Sequence, residues 1–434
     1  MSQHSTPTRT GTVAPTATTS PPALLPILLG LLERSRRAVG QERVFARLVV
    51  LTLGMISALG RHTITQLLVA VGQGEADWSG FYRLFSQGRF QPDAAGVALV
   101  GETLADVPAT APYLVVVDGV QLPRQSQRLP GTSWLKCPRT PPWKPGIHRA
   151  QRYSHLAWLT PSSADGDRRA VPLRVIPAPP PKAIRPSDAA QADACGLTAM
   201  REWEAGLASL NWLRQTLDAA GRAAQQILAV ADGSYSGARM WMGLPARTTL
   251  LARCAKNRAL YALPTAHPGR GRPRKYGERA PSPADWLSER CGWSRTTVRV
   301  RGRSIPVTYR VAGPYLVKPA ATQPLYLIVV RGIDRRPGHK HRPPAFWLVN
   351  AVPTHTDPAG VATEDWQLPY PVTELLAVAW QRWEIEVCHR QAKTSLGVGD
   401  AQCWTALGTV RAAQFQWWVY ALLVLTAYRA WGHG

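Results

Sequence analysis

The chain has 434 residues, 45% of them hydrophobic, which is enough to bury a sizeable core and too apolar for a disordered polypeptide. Its 51 Lys and Arg against 27 Asp and Glu leave a net charge of +24, spread along the whole length; such a field favours a polyanion, and nucleic acid is the commonest one. The six cysteines are far apart and show no CxxC spacing, which excludes a disulfide frame and a zinc site and fits a reducing cytoplasm.

Residues 1–20 are rich in Ser, Thr and Pro and read as a disordered tail. PPALLPILLGLL (21–32) lacks the basic start and small-residue cleavage site of a signal peptide and reads as a core helix. QERVFARLVVLTLGMISALG (41–60) is an apolar helix. Residues 62–90 then give a helix, a GQG turn and a helix opening at Asp77 or Ser79. That pattern suits a helix-turn-helix, and with Arg61, Arg83 and Arg89 it points to DNA contact; an ordinary helical bundle is the alternative.

YLVVVDG (113–119) is a buried strand that ends in an acid, followed by strands at AWLTP (157–161) and AVPLRVIP (170–177). A Pro-rich hinge (178–187) leads to a helix over 188–221, then to the strand ILAVADGSYSG (227–237), again stopping at an acid, and to TTLLARCA (248–255). Between them, WKPGIHRAQRYSH (143–155) carries His148 and His155, which suit a DNA contact or the core better than metal ligation. Residues 256–370 turn rich in Pro, Gly and Arg, with strand-like pieces at 296–313, 324–332 and 345–353, the pattern of an antiparallel β insertion. Within it RGRPRKYG (270–277) offers Arg270, Arg272, Arg274 and Lys275 to a minor groove or to phosphates generally, and 331–344 reads as a DNA-facing hairpin tip. From Thr373 the chain returns to long helices; FQWWVYALLVLTAY (415–428) is too short to span a bilayer and carries Gln416, so it reads as core and no membrane role follows.

Asp118 and Asp232 close their strands, and each is followed by a glycine that lets the chain turn away and leaves the acid facing open space. A lone Asp-Gly at a strand end is equally a plain turn; two of them in one α/β segment shift the balance toward chemistry. On the helix TELLAVAWQRWEIEVCHRQAK (373–393), Arg382, Glu386, His389 or Arg390, and Lys393 share one face. Glu384 lies about 200° round from Glu386 and does not join it. One carboxylate among cations does not neutralise its own stripe; it suits a metal ligand whose neighbours hold phosphates. Asp118, Asp232 and Glu386 together fit two-metal phosphoryl chemistry, with two Mg2+ ions about 4 Å apart, and Mn2+ as a substitute.

Arg382, Glu386 and Lys393 spell R-x3-E-x6-K, and here the chain resembles bacterial insertion-sequence transposases of the DDE type, whose third-acid helix carries Y-x2-R-x3-E-x6-K. The tyrosine position is Ala379, with Trp380 next door as a stand-in. The resemblance implies an α/β fold: an RNase-H-like catalytic core interrupted by an antiparallel β insertion, with a helical N-terminal domain. It implies a tail over 1–20, a helical DNA-binding domain over 21–105, the first part of the core over 106–255, the insertion over 256–370 and the core's C-terminal helices over 371–434. Asp118, Asp232 and Glu386 would be the metal-holding acids, with Arg382 and Lys393 gripping phosphates beside the cut. The implied reaction is Mg2+-dependent cleavage of double-stranded DNA at transposon ends, followed by strand transfer into target DNA, by a homodimer in the bacterial cytoplasm. Two rival expectations are a non-catalytic DNA-binding remnant of the same element and a glycosidase using paired carboxylates; neutral sugars give the +24 charge nothing to hold.

Overall fold

The computed structural model describes residues 23–36, 39–137, 140–141, 143–163, 167–265, 272–332, 342–354, 365–403 and 405–432. The tail expected over 1–20, Arg270 and most of the 331–344 hairpin tip lie outside these residues.

The N-terminal segment is helical, as its periodicity predicts: α1 (Leu24–Arg34), α2 (Glu42–Ser57), α3 (Ile64–Ala70), α4 (Ser79–Ser86) and α5 (Pro92–Thr103). The strands β1 (Tyr113–Pro123), β2 (Thr132–Lys136), β3 (Ile147–Leu159) and β4 (Ala170–Pro177) follow. Then come α6 (Ala189–Ala194), α7 (Glu202–Ala219), β5 (Ile227–Ala231), α8 (Ala238–Met242) and β6 (Thr248–Arg253). The β-rich part contributes β7 (Tyr261–Ala262), β8 (Ser294–Val300), β9 (Arg303–Val317), β10 (Ala320–Val330) and β11 (Ala345–Asn350), and the chain closes with α9 (Val372–Gln381), α10 (Trp383–Ser395) and α11 (Ala406–Trp431).

The central strands are β1, β5 and β6, paired in parallel, with β3 antiparallel on the outer side of β1 and β4 antiparallel to β3. Val115, Val116 and Val117 of β1 and all five residues of β5 are fully buried, as a parallel sheet covered on both faces requires. Apart from a small two-stranded sheet of Val352–Pro353 with Trp366–Gln367, the described strands of the insertion join the core sheet. β11 pairs antiparallel with β6, and β10, β9 and β7 follow, so the insertion continues the same sheet. Its β8–β9 hairpin turns through Arg301 and Gly302, both at positive φ, the geometry a two-residue hairpin favours.

Four elements differ from the periodicity reading, the first being β1, which does not stop at Asp118–Gly119 but runs on to Pro123. The strand at 157–161 is the end of the longer β3, whose first half is polar and escapes a search for apolar runs. The helix expected over 188–221 is broken: Gly196 adopts φ +65, which ends the helical course, and a new helix begins at Glu202. The helix expected from 373 is two helices meeting at Arg382.

α11 is the apolar core helix that its sequence suggests. Phe415, Trp417 and Trp418 are buried on it, and Phe415 packs on Phe85 of α4 and on Phe90, with ring centroids 5.4 and 5.6 Å away. The second helix of the helix-turn-helix pattern therefore lays its apolar side on α11, leaving Arg83 exposed. Among the described residues no helix is long and apolar enough to cross a membrane.

Candidate active site

Parallel pairing sets the first two acids side by side. Val117 of β1 is opposite Ala231 of β5, so Asp118 and Asp232 come side by side one residue further on, Asp232 just past the end of β5 and Asp118 within β1, which runs on to Pro123. A third carboxylate joins them: one oxygen each of Asp118, Glu202 and Asp232 lie within 4.8 Å of one another. Glu202 reaches this point because the break after α6 makes it the first residue of α7, and because α7 lies close on β1. A Cβ on Gly206 would stand 2.4 Å from the Tyr235 ring, and a Cβ on Gly119 would stand 2.5 Å from the Glu202 carboxyl carbon. Gly119 does not turn the chain as its sequence suggests: β1 continues through it to Pro123, with Gly119 opposite Ser154, and the bare face of the glycine is where Glu202 rests.

Local hydrogen bonds orient the group. Asp118 Oδ1 accepts the Gly119 amide at 2.8 Å, and Asp232 Oδ1 accepts the Ser234 amide at 2.8 Å. The Ser234 hydroxyl lies 2.7 Å from Asp232 Oδ1 and 2.8 Å from Glu202 Oε1, so one donor serves two acids. Burial, and then the neighbouring Asp232, push the Asp118 carboxyl up to about 7, against the opposing pull of Arg382. Burial also raises Glu202, and Asp232 adds to it, while the Ser234 hydrogen bond pulls the other way. A half-buried group of hard oxygen donors that resists being jointly ionised is suited to a divalent cation, which offsets the repulsion.

The helix of the R-x3-E-x6-K run sits over this cluster through a histidine pair. His155 is opposite Asp118 in the β1–β3 ladder and fully buried; its Nδ1 is 2.9 Å from Nε2 of His389 on α10, and both rings pack on Trp417. Burial, and secondarily Lys393, hold His155 down to about 3, and burial keeps His389 well below its ordinary range. Both rings are therefore neutral, one nitrogen donating and the other accepting, and they tie α10 to the strand behind Asp118.

With α10 so placed, Arg382 is the link between the two sets of acids. Its guanidinium is 2.5 Å from Glu386 Oε1 and 3.8 Å from Asp118 Oδ2. Glu386 is thus one side chain removed from Asp118 and outside the 4.8 Å group. Lys393 donates to the Gln121 carbonyl of β1 at 2.9 Å, further along the strand that carries Asp118. Arg390 is exposed. Glu384 points elsewhere, as its azimuth predicts: it is buried, 2.5 Å from Arg301 of the β8–β9 turn and 3.7 Å from Arg169. Trp380, beside the Ala379 that replaces the signature tyrosine, lies under Arg342 at 5.3 Å. Arg272, Arg274 and Lys275 are exposed on the segment after β7, six strand positions from β1, about 29 Å along the sheet at about 4.8 Å per strand.

Glu202 is the member of the group that the sequence reading does not reach. Its only signal is the left-handed turn at Gly196 that would restart the helix at REWE; read as one helix from 188, it is an ordinary mid-helix acid.

The order β4-β3-β1-β5-β6, with one acid within β1 and another just after β5, is that of an RNase-H-like core. The chain belongs to the family described as DDE superfamily endonuclease, which matches residues 37–310, a stretch that holds Asp118, Glu202 and Asp232 and ends before Glu386. No curated protein is similar enough in sequence to match it.

Divalent cation binding should be visible without any DNA. Asp118 has a folded pKa near 7 and about 3.9 when unfolded. The cation-free fold therefore loses stability as pH rises from about 4 through 7, where the folded carboxyl gives up its proton. A bound cation replaces that proton, so its affinity, and with it the stabilisation it confers, grows with pH. Mg2+ or Mn2+ is expected to raise the unfolding temperature more at pH 8 than at pH 6, and not in Asp118→Asn. Differential scanning fluorimetry in metal and in EDTA checks this; an equal rise at both pH values would remove Asp118 from the cation site.

Proposed function

We propose that the protein is a DNA transposase of the DDE type, cutting phosphodiester bonds at the ends of its element with Mg2+ and transferring the freed strand ends into target DNA. The observation that carries the proposal is the meeting of Asp118 and Asp232 on adjacent parallel strands under a helix that presents Arg382, Glu386 and Lys393. Asp118, Asp232 and Glu386 are the ligands proposed for two divalent ions, with Glu202 as a further carboxylate beside Asp118 and Asp232. Such ions stabilise the attacking and leaving oxygens of an in-line displacement.

The side chains supply the rest. Arg382, which now bridges Glu386 and Asp118, transfers its guanidinium to a backbone phosphate when DNA arrives and leaves both carboxylates free for cations. Lys393, held on the Gln121 carbonyl, meets the next phosphate along β1. The histidine pair keeps both groups in register with Asp118 and stays uncharged while doing so. Arg272, Arg274 and Lys275 bind flanking DNA, the action takes place in the bacterial compartment that holds DNA, and two copies act on paired ends. The non-catalytic remnant is the poorer reading, since DNA binding alone has no use for the close carboxylate group of Asp118, Glu202 and Asp232. A nicking assay on DNA carrying the element's terminal sequences tests the proposal. Cleavage with Mg2+ or Mn2+ and none in EDTA is expected; binding without cleavage under all metal conditions would leave only the remnant.

A further inference from the structure

β1 runs on past the acids. Six residues beyond Asp118, about 20 Å along the strand, Arg124 stands at the lip of a cleft of about 1070 Å³ between the β1–β2 connection and the residues that follow α10. Arg61, Arg124, Arg128 and Arg149 line it against a single acid, Asp400. Among the described residues these arginines are not paired with carboxylates. Arg124 donates to Gln151 and to the Gly399 carbonyl, and Arg149 donates to the carbonyls of Ser126 and Gln127 and to Thr132. Each neutral partner fixes a guanidinium and leaves its charge uncompensated.

The same cleft carries an apolar face that the fold does not use. Trp134 of β2 is 53% exposed and Ile147 of β3 is 69% exposed, and both line the cleft. A large ring left half in water beside a row of arginines is the pairing that holds a nucleic acid strand by its bases as well as its phosphates. Stacking selects the form of the strand: in a duplex each base face is covered by its neighbours, so a duplex can lie across the arginines, but only an unpaired base can lay its face on Trp134.

We infer that this cleft binds single-stranded DNA, stacking a base on Trp134 and holding the backbone with Arg61, Arg124, Arg128 and Arg149. It rests on the proposed action on DNA and adds to it a strand path: DNA cut or opened at Asp118 is led along β1, past Lys393, into the cleft as a separated strand. The charge and the open ring account for one another in this use, whereas a duplex-only surface would need no exposed indole.

The test is made in EDTA, so that no cutting is involved and failure of the nuclease reading cannot be mistaken for failure of this one. An oligo-dT carrying one 2-aminopurine is titrated with the full-length protein, following anisotropy for binding and 2-aminopurine quenching for stacking. Trp134→Ala, which removes a half-exposed ring and little core, is expected to weaken the oligonucleotide about five- to a hundredfold and abolish the quenching. Binding of a blunt duplex should change by no more than about twofold. Arg61→Ala and Arg128→Ala should each lower the salt slope for the single strand by about 0.7. Unchanged quenching in Trp134→Ala, or an equal loss on duplex and single strand, would overturn the assignment.

Discussion

Asp118→Asn is expected to remove divalent-dependent nicking, by on the order of 10³-fold or more, the scale on which losing one preorganised electrostatic partner acts. The amide keeps the shape and can still accept the Gly119 amide, but it brings no negative charge to the cluster. Stability should move the other way. With its carboxyl pushed up to about 7 by burial and by Asp232, the wild type pays to ionise this group at higher pH. In EDTA at pH 8 the Asn variant should therefore melt at or above the wild-type temperature, an exchange of stability for activity that marks a functional rather than a packing residue. Circular dichroism melts beside a nicking assay make the comparison. A variant that melts lower and still cuts would make Asp118 an ordinary strand residue.

The part of this architecture that depends on local pattern was open to reading. β4 was legible because its apolar run is short and bounded by Pro, and β5 because five small apolar residues run directly into Asp-Gly. The face shared by Arg382 and Glu386, and the separation of Glu384 from it, followed from 100° per residue even though the helix is interrupted at Arg382. What lay beyond the sequence depends on pairing between distant segments. Nothing in AFWLVN (345–350) says that it will join β6 and so merge the insertion with the core sheet. His155 and His389 are far apart in the chain and meet only because β3 lies beside β1 and α10 crosses it. Glu202 needed two facts at once: a helix break, and a glycine on the neighbouring strand with no side chain in the way.

That last residue sets the sharpest question about the site, since four carboxylates compete for three ligand roles. Glu202 is already in the group with Asp118 and Asp232, while Glu386 lies outside it, paired with Arg382. If Glu386 completes the reactive centre on DNA, Glu386→Gln abolishes turnover at every metal concentration while DNA binding is largely kept. Glu202→Gln leaves the centre competent but weakens its hold on the cation, so the Mn2+ midpoint for cleavage rises about ten- to a hundredfold and the rate recovers when metal is in excess. Initial rates across a Mn2+ titration separate the two. The reverse pattern, with Glu202→Gln dead at saturating metal and Glu386→Gln active, would make Glu202 the third acid and reduce Glu386 to the group that parks Arg382 beside Asp118 before DNA binds.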